Sequence, residues 1–349
     1  MATEPDLQVR RLLFQYDLFP YQFSQHGSVM KIETVIGNFA LKQKKITRNQ
    51  INHLLTAYKL AGKLAIDALS PLPSKYGDLV IQGDGDSGYY LLPWFEETVP
   101  ESDLLTRYTR LFLKAGQMHQ QTLRGDDNPD QLYQSMVQLL TGRQNIWERF
   151  VQEAEHHVYP SPFEQLVLSS AGGYLTNLQN ALLYFQGTQK EVEEGTENAA
   201  KKGMRRALCH GRLNPLHIVI ENEKCYLINF EECSYGIFII EAASLFEQAS
   251  AVLSKPHLPW KAWISSYLAA CPLTDNETTF LFHYLMCPLA PINLLEKYRL
   301  QHDQSEFWFT QHWITLQRAQ SEMIRAFQGY YEEKQKQSNH QEEQTSDDS

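Results

Sequence analysis

No stretch of eighteen apolar residues occurs in the chain, and its opening, "MATEPDLQVRRLLFQY", lacks the basic, then apolar, then small-residue succession of an export signal. Neither a membrane span nor secretion is expected. The five cysteines, Cys209, Cys225, Cys233, Cys271 and Cys287, are odd in number and contain no CxxC pair, which speaks against a disulfide framework and against a zinc ribbon. Reduced thiols packed in apolar surroundings are the expectation. Basic residues are not in excess: 31 Lys and Arg stand against 41 Asp and Glu, a formal charge of -10, which argues against nucleic acid as the main partner. A Gly-x-Gly-x-x-Gly phosphate loop is missing as well, since "SQHGSVMK" offers one glycine.

What is present is an ordinary globular complement, 43% hydrophobic and 12% aromatic residues in 349, enough for one large core or two modest ones. The first forty-five residues read as a short helix, "DLQVRRLLFQY", and three strands, "PYQFSQ", "SVMKIETVI" and "NFALKQ", with turn signals at Gly27 and Gly37-Asn38. Residues 49–65 then recur apolar at helical spacing, and "DLVIQ" and "GYYLLPWF" return to strand character. From residue 101 the pattern is helical. "ESDLLTRYTRLFLKAGQMHQQT" carries one apolar face, and Ser161, Pro162 and Glu164 form a capping box that opens a helix expected to end at Gly187. A polar loop, "GTQKEVEEGTENAAKKG", leads to "RALCHGRLNPLHIVIENEKCYLINFEECSYG", in which two β-rich runs flank the turn "ENEK". Four more helices follow. The expected class is α+β: a small antiparallel β lobe with one helix and the hinge over residues 1–98, a larger and mostly helical lobe over 99–331, and a disordered acidic tail over 332–349.

The succession of these pieces resembles the aminoglycoside phosphotransferase and choline kinase branch of the protein-kinase-like fold, and within it the YsxE-like and CotS-like spore coat proteins of endospore-forming bacteria. The resemblance spans residues 6–330. "YYLLPWF" resembles the hinge, "AGQMHQQT" the end of the helix after it, "CHGRLNPLHIVI" the catalytic loop His-Gly-Asp-x-x-x-x-Asn, and "YLINFEECSYG" the metal-binding Ile-Asp-Phe/Trp-Glu segment.

Carried over position by position, the resemblance puts Arg212 where the base aspartate belongs, His217 where an asparagine would ligate a second magnesium, and Asn229 where the principal metal aspartate belongs. A guanidinium has no acceptor for a hydroxyl proton. Imidazole is a poor partner for magnesium, and a neutral amide stabilises a divalent cation far less than a carboxylate. Aspartate to arginine adds two charges and aspartate to asparagine adds one, about +3 at a site that must attract metal. Glu231 lies two residues past Asn229 and, on an extended segment, would point the same way as a displaced metal ligand.

Lys42 in "FALKQ" matches the strand lysine that pairs nucleotide phosphates, but "NQINHLLTAYKLAG" holds no acid to position it; a phosphate contact and an ordinary solvated lysine both stay open. His210 and Gly211 are expected to shape the loop, and Glu241 matches a helix aspartate that braces it, or pairs with Arg212. His210 and His217 do not have helical zinc spacing, so no metal site and no cofactor are expected. The resemblance then implies no phosphotransferase activity. It implies a structural or assembly component of the spore coat, made in the mother-cell cytoplasm and partnered by other coat proteins, with no nucleic acid or membrane and with ATP an open question. Two alternatives stand beside it: a small-molecule kinase for a sugar or amino alcohol with displaced metal ligands, and a catalytically silent ATP sensor.

Overall fold

The computed structural model describes residues 7–64, 66–83, 87–127, 130–195, 203–253, 257–300 and 304–347. Its chain forms two compact units, Met1–Thr122 with Leu208–Tyr235, and Leu123–Ala207 with Gly236–Ser349.

In the first unit, strand-forming runs set off by turns at Gly27 and Gly37 build β1 (Pro20–His26), β2 (Val29–Thr34) and β3 (Gly37–Lys45) after helix α1 (Leu7–Phe14); α2 (Arg48–Leu64), β4 (Ile81–Gln82), β5 (Ser87–Pro93) and α3 (Leu104–Gln121) follow. The strands pair antiparallel in the order β1-β2-β3-β5-β4, so the antiparallel sheet expected from the sequence has five strands. Leu41, Tyr89 and Leu91 face one side of it and pack with Leu12, Leu13 and Ile32. Burying each of these aliphatic side chains stabilises the unit by about 1.5–3 kcal/mol. Ala40, Tyr90 and Leu92 face the other side with Leu69, and by the two-residue period Lys42 and Lys44 share that face.

The second stretch of this unit carries the site. A 3-10 turn at Pro215–His217 leads into β8 (Ile218–Glu221), which pairs with β9 (Lys224–Leu227) in register Glu221 to Lys224, so "ENEK" is the tight turn the sequence indicated, with Asn222 at φ 54. A further 3-10 turn spans Phe230–Glu232.

In the second unit β6 (Arg124–Asp127) pairs with the first part of β7 (Met204–Cys209), and α4 (Asp130–His156) leads into α5 (Pro162–Glu193). The capping box is present: the Ser161 hydroxyl accepts from the Glu164 amide, and the Glu164 carboxylate accepts from the Ser161 amide. After β10 (Ser234–Ile237) come α6 (Phe238–Leu253), α7 (Trp260–Ala270), α8 (Asp275–Leu285), α9 (Leu289–Leu300) and α10 (Glu306–Asp347). Trp147, Phe150, Phe163 and Trp313 are the centre of this core. The apolar stretch 275–300 folds as α8 and α9, with Leu281, Leu285, Ile292 and Leu295 in the interior.

Two boundaries differ from the sequence reading. Helix α5 runs past Gly187 to Glu193, where Gln189 Nε2 donates to Glu193 Oε1 one turn on at 2.7 Å. Helix α10 continues through residues 332–347, because the Glu, Lys and Gln that make this stretch polar are also good helix formers. Among the described residues, the five cysteines are buried thiols.

Candidate functional site

Strand register brings the first three groups together. Lys42 on β3 lies directly opposite Tyr90 on β5, and Lys44, two residues along, points to the same face. Facing them is the segment after β9. Asn229 takes a left-handed conformation at φ 70 and ψ 52, which asparagine tolerates better than most residues, and the chain then tightens into the turn Phe230–Glu232. Phe230 anchors that turn, fully buried, edge-on to Tyr58 of α2 at 5.5 Å and against the His210 ring at 4.7 Å.

The result is a tight charge cluster. Lys42 Nζ donates to Asn229 Oδ1 at 2.5 Å and to Glu231 Oε1 at 3.0 Å. The Tyr90 hydroxyl donates to the same Oε1 at 2.5 Å, and Lys44 Nζ stands 3.4 Å from Oε2. The Glu231 side chain is 1% exposed and that of Lys42 12%. Burial pushes the Glu231 carboxyl up, but Lys42 and the Tyr90 hydroxyl outweigh it and hold its pKa down at about 2. Burial lowers Lys42, opposed by Glu231 and reinforced by Lys44 and Arg212 nearby. Glu231 is therefore an ionised carboxylate among three cationic side chains.

Asn229 and Glu231 do meet, as the sequence reading required, but not on an extended strand. A left-handed residue followed by a 3-10 turn folds both side chains onto one point. Lys42 is a half-buried, paired lysine rather than a solvated one; α2 indeed contains no acid, and its partner is Glu231.

The loop before β8 is held by its backbone. His210, buried, donates from Nε2 to the Ile228 carbonyl at 2.7 Å, and Gly211 stands at φ 81, where a Cβ would fall 2.2 Å from the Glu232 carbonyl oxygen. Only glycine fits there. Arg212 is exposed, and its carbonyl accepts from His217 Nδ1 at 2.8 Å. That bond fixes the tautomer, leaving Nε2 as an acceptor. Burial, with the neighbouring cations, lowers His217 to about 4, so the ring is neutral near pH 7. Glu241 lies in the first turn of α6, in the second unit.

Three residues of this site carry no motif and escaped the sequence reading. Tyr90 and Lys44 could have been found from strand parity alone, as cross-strand and i+2 neighbours of Lys42. Arg107 of α3 could not. Its guanidinium, 1% exposed, donates to the carbonyls of Pro215 at 2.7 Å, Ile218 at 2.5 Å and Val99 at 3.0 Å, and pairs with Glu97.

The oxygens of Asn229 and Glu231 already converge on one cation, the Lys42 ammonium. One carboxylate and one amide oxygen are hard ligands of the type a divalent ion takes when it completes its shell with phosphate oxygens and water.

No protein-family model matches the chain, and no curated protein matches it. Solved structures do. An aminoglycoside phosphotransferase from Alicyclobacillus acidocaldarius superposes with a TM-score of 0.73 at 15% identity, covering 95% of this chain and 98% of its own. The fold is kinase-like. A spectinomycin phosphotransferase in its AMP-bound complex shares it with a TM-score of 0.54 at 13% identity, covering 91% of this chain and 98% of that one. The expectation that the protein is not an enzyme is overturned by these neighbours, which are phosphotransferases by name and match nearly end to end. The physical reason is local: the expectation weighed the changes at Arg212, His217 and Asn229 above the displaced carboxylate of Glu231, which stands ionised at the same point as the Asn229 amide. Neither neighbour is a coat protein by name, so the coat branch of the resemblance stays an expectation from the sequence.

Proposed function

We propose that the protein is a small-molecule phosphotransferase, passing the terminal phosphoryl group of a nucleoside triphosphate to a hydroxyl of a sugar or amino alcohol. The observation that carries this reading is the shared grip of Asn229 Oδ1 and Glu231 Oε1 on Lys42 Nζ, a cation position and a phosphate-pairing lysine on a kinase-like frame.

In this reading Asn229 and Glu231 hold a divalent metal, which when bound shields phosphate charge. Lys42 and Lys44 attract the phosphates. Arg212, permanently charged, neutralises negative charge on the group in transfer, a role for which a guanidinium suits better than a carboxylate. His217, neutral and with Nε2 free of its proton, accepts the hydrogen bond of the acceptor hydroxyl. Phosphoryl transfer through a loose transition state relies on positioning and electrostatics, and a general base contributes about 10²–10⁴-fold, so a weak base leaves a slow enzyme.

The test is ADP release from ATP with magnesium or manganese over a panel of sugars and amino alcohols, with the phosphorylated product confirmed by mass. Turnover that disappears in Glu231→Ala and falls about 10²-fold in His217→Ala is expected. Turnover indifferent to Glu231→Ala, or no phosphorylated product from any hydroxyl compound, would reject the reading.

A further inference from the structure

Lys42 places a positive charge where the proposed metal would sit. Its ammonium has three N–H donors and gives two of them to the oxygens of Asn229 and Glu231, so the point on which those oxygens converge is filled. A divalent ion would need oxygens at about 2.0–2.6 Å around that same point, and two cations cannot share it. Both oxygens of Glu231 already face donors, since Tyr90 also donates to Oε1 and Lys44 stands 3.4 Å from Oε2.

The field around the point has the same sense. Lys42, Lys44 and Arg212 outnumber the one buried carboxylate, so an approaching bare cation is repelled and an approaching phosphate attracted. Lysine is a compact charge on a four-carbon stem with rotatable bonds. Phosphate oxygens can draw it off Glu231 without moving the strand, and its departure uncovers two oxygens together.

We infer that Lys42 is an internal occupant of the Asn229 and Glu231 cation site, so that the protein admits a divalent metal only after a phosphate group has drawn the lysine away. This rests on the phosphotransferase reading only in placing phosphates and metal at this cluster. Binding is ordered, phosphate before metal. Each ligand alone sees an affinity reduced by the fraction of molecules in which Lys42 is already displaced.

Two measurements on the full chain test it, neither reading turnover. In the first, manganese is titrated without nucleotide and free metal is followed by electron paramagnetic resonance. Wild type should bind weakly, Lys42→Met at least about tenfold more tightly, and Lys42→Met with Glu231→Gln no better than wild type. The second measurement leaves Lys42 in place and neutralises its partner, in protein shown to be folded by circular dichroism: ATP is titrated in EDTA by calorimetry into wild type and Glu231→Gln. With its internal partner neutralised, Lys42 should bind ATP about fivefold more tightly. Manganese binding to wild type as tight as to a folded Lys42→Met, or an ATP affinity that Glu231→Gln leaves unchanged or absent, overturns the inference. A protein that shows both shifts yet phosphorylates nothing keeps this inference and loses the phosphotransferase reading.

Discussion

Lys42 and Tyr90 face each other across the ladder between β3 and β5 and both donate to one oxygen, Glu231 Oε1, so a single cross-strand pair holds the carboxylate of the site.

Removing the phenol oxygen tests the smaller half of the grip. Tyr90→Phe keeps the buried ring and loses one hydrogen bond to an ionised acceptor, and should lower unfolding free energy by about 2 kcal/mol. Urea denaturation with an unchanged slope is the measurement; a change under 0.5 kcal/mol, taken as about the noise of surface substitutions, would show that the hydroxyl carries nothing.

Removing the carboxylate is worse, because it leaves two lysines facing an uncharged amide. Glu231→Gln should destabilise by about 3 kcal/mol or more, exceeding Tyr90→Phe. Equal losses in the two variants would mean that the ion pairs contribute little beyond the phenol bond.

Acid should weaken the fold in two stages. His217 and His283 are both lowered to about 4 from 6.5, chiefly by burial, so the unfolded chain takes up their protons first and the stability they contribute is lost as pH falls from 6.5 towards 4. Glu231, lowered to about 2 from 4.5, contributes stability present above 4.5 and lost as pH falls from 4.5 towards 2. Melting temperature followed against pH should show both limbs, and His217→Gln should flatten the upper one. An upper limb as steep as in wild type would remove His217 from the account.

Gly211 has no tolerance. Gly211→Ala would combine a positive φ with a Cβ 2.2 Å from the Glu232 carbonyl oxygen, so the loop or the turn must shift, at a cost of several kcal/mol. Hydrogen exchange should rise in residues 228–233, which a merely local strain at 211 would leave protected.

Much of this fold could be read in the sequence. The strand runs of residues 20–45, the Ser161 capping box and the "ENEK" turn each depend on neighbours within a few residues, and each is found in place. Helix ends were harder: Gly187 looks like a stop, but the polar turn after it makes its own i to i+4 bond and α5 continues. At the site, the two segments that resemble a catalytic loop and a metal segment stand out by spacing, and Glu231 could be named as a displaced ligand. Which lysine it would meet was not legible. Lys42 and Glu231 are 189 positions apart, and the pairing depends on a left-handed Asn229 that no local pattern announces.

Arg107 gives the loop an unusual kind of independence. Its clasp closes on the main-chain oxygens of Pro215 and Ile218, so the path of the backbone there is indifferent to what hangs from it. The exposed side chains at 212 and 216 can be exchanged while the scaffold under them stays tied to α3. A chain with such a mooring can trade one set of reactive groups for another without first having to refold.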